Sequence, residues 1–131
     1  MLSDTSGFLC VYDDSEEHHT KGLSLYDAAQ HHLTTNYILT EYVALAHVRG
    51  VPRSEIIEFS RRVLQDAEIE IIWVDEALHA RAVELLQARQ DKTYSLCDAV
   101  SFVLMRERGI TDALTTDKHF AQEGFGKLLE N

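Results

Sequence analysis

Apolar positions along the chain recur with two different periods, which separates short strands from amphipathic helices. The densest β-like run is Glu68–Val74, where Ile69, Ile71, Ile72, Trp73 and Val74 supply β-branched and aromatic bulk. Shorter strand candidates are Met1–Ser3, Leu33–Thr35, Ala113–Thr115 and a last one near Lys127–Leu129. Helical spacing follows in between. Tyr37, Ile38, Tyr42 and Leu45 share a face of a helix over Asn36–Arg49, and Gly50 closes it. Pro52 opens a second helix carrying Ile56, Ile57, Val63 and Leu64, and Leu78, Ala82, Leu85 and Leu86 mark a third. Ser95–Arg108 is apolar on most faces, which predicts a buried helix ended by Gly109. Strands alternating with helices define an α/β domain, and no linker or repeat interrupts it, so one domain is expected over residues 1–131.

Composition narrows this picture without redirecting it. A chain of 131 residues with 45% hydrophobic content and one proline can build its own core. Two cysteines, Cys10 and Cys97, are too few for a disulfide scaffold and read as reduced packing residues, which points to a cytoplasmic setting. The start lacks the basic and apolar regions of a signal peptide, and no stretch is long and apolar enough to span a membrane. The formal charge of −10 speaks against a simple electrostatic binder of nucleic acid.

Charge becomes informative where acids occupy unusual places. Asp4 follows the apolar start, Glu41 shares a helix face with Tyr37 and Leu45, Asp98 sits within an apolar helix, and Asp117 follows Thr115-Thr116. All four are read as belonging to helix starts. Each also has a plain structural explanation. Asp4 and Asp117 suit N-caps, Ser95 and Asp98 suit a capping box, and Glu41 could edge out to solvent. In a parallel α/β sheet, however, strand ends and the helix starts after them converge on one crevice. Four carboxylates there would repel one another unless cations offset them, and an all-oxygen donor set suits Mg²⁺ or Mn²⁺.

At Asp4-Thr5-Ser6-Gly7, Thr40-Glu41, Ser95-Leu96-Cys97-Asp98-Ala99 and Thr115-Thr116-Asp117-Lys118-His119-Phe120 the sequence resembles the PIN-domain family, which includes VapC-type toxins. The resemblance covers essentially the whole chain, and the last two segments are its most specific marks. It implies a central, mostly parallel sheet of four or five short strands flanked by helices, and a homodimer. It implies metal-assisted hydrolysis of RNA phosphodiesters with Mg²⁺ or Mn²⁺ held by Asp4, Glu41, Asp98 and Asp117, the strongest candidates for direct ligands being Asp4 and Asp98. Thr115, Thr116 and Ser95 become polar helpers near that site. The expected function is the ribonuclease toxin of a toxin–antitoxin pair.

The remaining polar clusters carry weaker signals. Arg49, Arg53, Arg61 and Arg62 form the densest basic stretch and suit RNA phosphates, or else simply a solvated face. His18-His19 and His31-His32 read as surface or helix-end residues, because adjacent histidines diverge on a helix. Asp13, Asp14, Glu16 and Glu17 read as a solvated turn and helix start, and Asp112 as lying at the far end of its strand. With the four site acids accounted for by cations, a formal −6 remains. Weak, metal-dependent RNA binding and an antitoxin that presents a basic segment are therefore expected. The alternative is a catalytically weak PIN-like module that binds RNA or protein. An acidic phosphatase-like α/β enzyme is disfavoured, since Met1–Ser3 offers too little strand before its acid.

Overall fold

A computed structural model of the chain describes residues 1–130. Five parallel strands form one sheet: β1 (Leu2–Ser3), β2 (His32–Thr35), β3 (Ile69–Ile72), β4 (Asp112–Leu114) and β5 (Gly126–Lys127), in spatial order β3-β2-β1-β4-β5. Seven helices connect and flank them: α1 (Thr5–Tyr12), α2 (His19–Ala28), α3 (Asn36–Val48), α4 (Arg53–Gln65), α5 (Glu76–Ala88), α6 (Leu96–Arg108) and α7 (Lys118–Gln122). The α/β architecture and parallel sheet expected from the sequence are present. None of the described helices is long and apolar enough to cross a membrane.

Strand order determines where a cleft can form. The chain proceeds outward from β1 through β2 to β3, then returns to add β4 and β5 on the other side of β1. The direction of winding therefore reverses between β1 and β4, where Leu2 pairs Ala113 and Ser3 pairs Leu114. A crevice opens at the carboxyl ends of strands at such a switch point.

Packing fixes that crevice tightly. Leu2, Phe8, Ile38, Phe102, Met105 and Phe120 are fully buried in one core cluster. α1 lies almost against the backbone of β4, and a Cβ at Gly7 would stand 2.0 Å from the Leu114 carbonyl oxygen. Only glycine permits this approach, which sets the distance between the residues after β1 and those after β4.

Several boundaries differ from the sequence reading. The run Glu68–Val74 contributes only the four residues of β3, because Trp73 is exposed beyond the last pairing. The last strand ends at Lys127, and Leu129 is a buried core residue beyond it. Pro52 stands at the N-cap of α4, one residue before the helix. His32 corrects the surface assignment of the histidine pairs: it is buried in β2 with its ring stacked on Tyr26 at 4.0 Å. Burial there pushes its pKa down, so the ring serves as a neutral packing group. Its neighbour His31 is exposed and pairs Glu70, while His18 stands at the N-cap of α2.

Candidate active site

Three of the four acids flank the switch point. Asp4 directly follows β1 and caps α1, its carboxylate accepting from the Gly7 N–H at 3.0 Å. Asp117 lies just beyond β4 and caps α7 through the His119 N–H at 2.9 Å. Asp98 occupies the third position of α6 in a capping box with Ser95. Glu41 departs from the expectation of a helix start: it is the sixth residue of α3 and exposed at the rim. Its helical phase, shared with Tyr37 and Leu45, carries it to the rim. Asp112, by contrast, is the first residue of β4 and stands at the opposite end of that strand.

The capping interpretation and the site interpretation turn out to use different oxygens. In Asp98, Oδ2 accepts from the Ser95 N–H at 3.1 Å and from His119 Nδ1 at 2.9 Å, leaving Oδ1 outside both bonds. In Asp117, Oδ1 takes the helix cap, leaving Oδ2. Capping therefore aims these carboxylates rather than consuming them.

Neutral hydroxyls tie the rest together. Asp4 Oδ1 accepts from Ser6 Oγ at 2.9 Å and Oδ2 from Thr115 Oγ1 at 2.8 Å. Ser6 Oγ also lies 3.2 Å from Thr115 Oγ1 and accepts from the Thr116 N–H, while Thr115 Oγ1 accepts from the Asp117 N–H. Thr5 Oγ1 donates to Glu41 Oε1 at 2.6 Å. Thus the expected helpers differ in kind: Thr115 acts through its side chain, Thr116 through its backbone, and Ser95 through both, its N–H donating to the Asp98 carboxylate while its Oγ accepts from the Asp98 N–H. Thr5, Ser6 and His119 were not singled out from sequence, although Thr5 and Ser6 follow Asp4 and His119 follows Asp117 by two residues.

Electrostatics marks the cluster as short of positive charge. Asp4 is buried, which pushes its carboxyl up to about 7 despite bonds from Gly7, Thr115 and Ser6; nearby Asp117 adds to the rise. Asp98 is shifted up by burial as well, with Asp117 again contributing. Cys97 is half-buried, and burial first, then nearby Glu41, Asp98 and Asp4, raise its pKa and keep it a thiol. Cys10 is buried and likewise raised, to about 11. Among the described residues, no Lys or Arg forms an ion pair with any of the four acids.

The carboxylates of Asp98 and Asp117 suit a hard divalent cation, with His119 beside them. Ligand atoms of Asp98, Asp117 and His119 all lie within 4.8 Å of one another, and the oxygens left outside the caps are carboxylates. The basic stretch lies elsewhere. Arg49 caps α3 about 12 Å along the helix from Glu41 and pairs Glu16, and Arg62 pairs Glu58 of its own helix. Arg53 and Arg61 are exposed on α4. A separate cleft of about 650 Å³, lined by Tyr12, Tyr42, Phe59 and several acids, does not include the four candidate residues.

A parallel sheet with this strand order and acids gathered at its switch point defines a class, and the profile of the PIN domain matches residues 1–125. The chain belongs to the PIN-domain family. Within it, the similarity is to VapC-type toxins: the chain is 31% identical over 93 residues to the 23S rRNA-specific endonuclease VapC20 of Mycobacterium tuberculosis, covering 71% of this chain and 70% of that one. The same identity and coverage hold for VapC20 of two strains of that organism, CDC 1551 / Oshkosh and H37Rv. The crystal structure of M. tuberculosis VapC20, a sarcin-ricin loop cleaving toxin, superposes with a TM-score of 0.87 over 99% of this chain and 98% of that one, at 24% identity.

Proposed function

We propose that the chain is a divalent-metal-dependent endoribonuclease, the toxin of a toxin–antitoxin pair, working through Asp4, Glu41, Asp98 and Asp117. The observation that carries this reading is the gathering of Asp4, Asp98 and Asp117 at the β1/β4 switch point with no Lys or Arg among their partners. A bound Mg²⁺ or Mn²⁺ supplies a water of lowered pKa and stabilises charge on the phosphate.

The chain's own groups then have separable tasks. Asp98 Oδ1 and Asp117 Oδ2 are the oxygens left for the cation once capping is satisfied. Asp4, held on both oxygens by Ser6, Gly7 and Thr115, presents a fixed carboxylate that must lose its proton before it can join them. Glu41, steadied by Thr5 at the solvent rim, is placed to orient the attacking water. Ser95 and Thr115 hold these acids in position.

Kinship to VapC20 makes structured ribosomal RNA, including a sarcin-ricin loop, the first substrate class to try. Arg53 and Arg61 are exposed for phosphate contacts, whereas Arg49 and Arg62 would first have to leave their carboxylate partners. A cognate antitoxin would restrain the enzyme in the cytoplasm by placing a basic segment near the acids, and the active form would be a homodimer. The test is cleavage of 23S rRNA and of a sarcin-ricin hairpin with Mg²⁺, with Mn²⁺ and with chelator. Metal-dependent strand scission lost in Asp98→Asn supports the reading. Inactivity on every RNA despite metal uptake would instead leave a PIN-like binding module.

A further inference from the structure

Among the described residues, His119 is the one imidazole grouped with these acids, and its two nitrogens have different partners. Nδ1 lies 2.9 Å from Asp98 Oδ2 and 3.4 Å from Asp117 Oδ1. Nε2 lies 3.1 Å from Thr93 Oγ1. Because Asp98 accepts, the ring proton belongs on Nδ1, and the Thr93 hydroxyl donates to Nε2. Neither nitrogen then has a free lone pair for a cation. The ring is also held sideways, packed edge-on to Tyr94 at 5.3 Å between centroids. Tyr94 in turn donates its hydroxyl to Glu123, which Arg89 and Arg106 anchor.

We infer that His119 is a positioning residue: clamped between Thr93 and Asp98, it orders Asp98 and Asp117 for the cation and does not ligate it. This rests on the metal-dependent reading above. The imidazole occupies Asp98 Oδ2 together with the Ser95 N–H, so only Oδ1 is left toward the site. It also ties the start of α7 to the start of α6, fixing the spacing of two acids that lie on separate helices. Partners of this kind, outside the ligands themselves, commonly change metal affinity or activity about 10–100-fold when removed.

The experiment uses the full chain, wild type and the variants His119→Ala, His119→Asn and His119→Gln. Asparagine places an N–H donor near the Nδ1 position, whereas glutamine reaches toward the Nε2 position. Long-range ¹H–¹⁵N spectra of the metal-free wild type should show the Nδ1–H tautomer. With Mn²⁺ bound, pulsed electron paramagnetic resonance should show no directly coordinated imidazole nitrogen. His119→Ala should weaken Mn²⁺ binding and lower kcat by about 10–100-fold, with KM for RNA nearly unchanged. His119→Asn should recover most of both losses, and His119→Gln should not. A directly coupled imidazole nitrogen, an Nε2–H tautomer, or His119→Asn behaving like His119→Ala would overturn the inference. A wild type that binds Mn²⁺ but cleaves no RNA removes the ribonuclease reading alone, and the Mn²⁺ measurements still decide the role of His119. A wild type that takes up no Mn²⁺ overturns both.

Discussion

Asp4 and Glu123 are almost equally buried, 8% and 7% exposed, yet their carboxyl groups respond in opposite ways. Burial pushes Asp4 up to about 7. Burial also penalises the Glu123 charge, but hydrogen bonds from Arg106, Arg89 and Tyr94 outweigh it and hold the group below its usual range. Glu123 joins the loop after α5 and the helix α6 to the end of α7, and it does so as a completed ion pair. Asp4 meets only hydroxyls, one backbone N–H and further acids. One carboxylate has had its counter-charge built into the fold; the other has been left without one. That difference, rather than acidity as such, separates a structural acid from a candidate ligand.

The largest expected effect concerns the uncompensated side. Asp98→Asn and Asp4→Asn should each lower RNA cleavage at saturating Mg²⁺ on the order of 10²–10³-fold, read by gel-resolved initial rates. The same Asp4→Asn protein should melt no lower than wild type without metal, since a buried, unpaired charge has been removed. If both variants cleaved normally, Asp4 and Glu123 would belong to the same class after all.

Glu123→Gln should break the compensated side instead. Removing one partner of a buried pair costs about 3–5 kcal/mol, and the outward-facing guanidiniums reduce that to about 2–3 kcal/mol here. Urea titration in chelator would show it as a lower midpoint. Metal affinity should fall less than in the Asp98 variant.

A pH series sharpens the contrast further. Folding raises Asp4 from 3.8 to about 7, so between these values the folded chain holds a proton that the unfolded chain has released. Stability of the metal-free protein should therefore fall as pH rises through that window, to which the upward-shifted Asp98 adds. Melting curves in chelator should show the decline, and Asp4→Asn should flatten it. Metal binding runs the other way, strengthening as Asp4 loses its proton, so saturating Mn²⁺ should reverse the trend.

The smallest effect belongs to Ser95→Ala, which removes a helix cap worth about 1 kcal/mol. Cleavage should fall by little more than that loss implies, because the Ser95 backbone N–H that holds the Asp98 carboxylate survives the substitution. A matching fall in stability and activity would mean that Ser95 acts only as a cap.

Where periodicity and punctuation were strong, the sequence was easy to read. α3 and α6 stand within a residue of their expected bounds and α4 begins one residue after Pro52, because Gly50, Pro52 and Gly109 mark ends that backbone geometry enforces, whereas α5 was placed only by its apolar positions. The run Phe8–Val11 carries no such signal: α1 is buried on nearly all sides, so there was no polar face to set a period. His32 was misplaced for a related reason, since a polar residue in a central strand is concealed by neighbours that are distant in sequence. Asp4, Asp98 and Asp117 were legible as acids in apolar or capping surroundings. His119 was not, because its role depends on contacts with Thr93, Tyr94 and Asp98, 21 to 26 residues away.

The close approach at Gly7 also has a consequence in time. Asp4 and Thr115 meet across 111 positions of sequence, beside the pairing of β1 with β4. At about 5–20 residues per second, the ribosome spends about 6–22 s between making the two. Throughout that interval β4 does not exist, and α1 can pack on α2 and α3 but not on the strand that Gly7 faces. Asp4 gains Thr115 and Asp117 as neighbours only once β4 has been made. The crevice at the β1/β4 switch point is thus completed only after β4 has been made, long after Asp4 and α1.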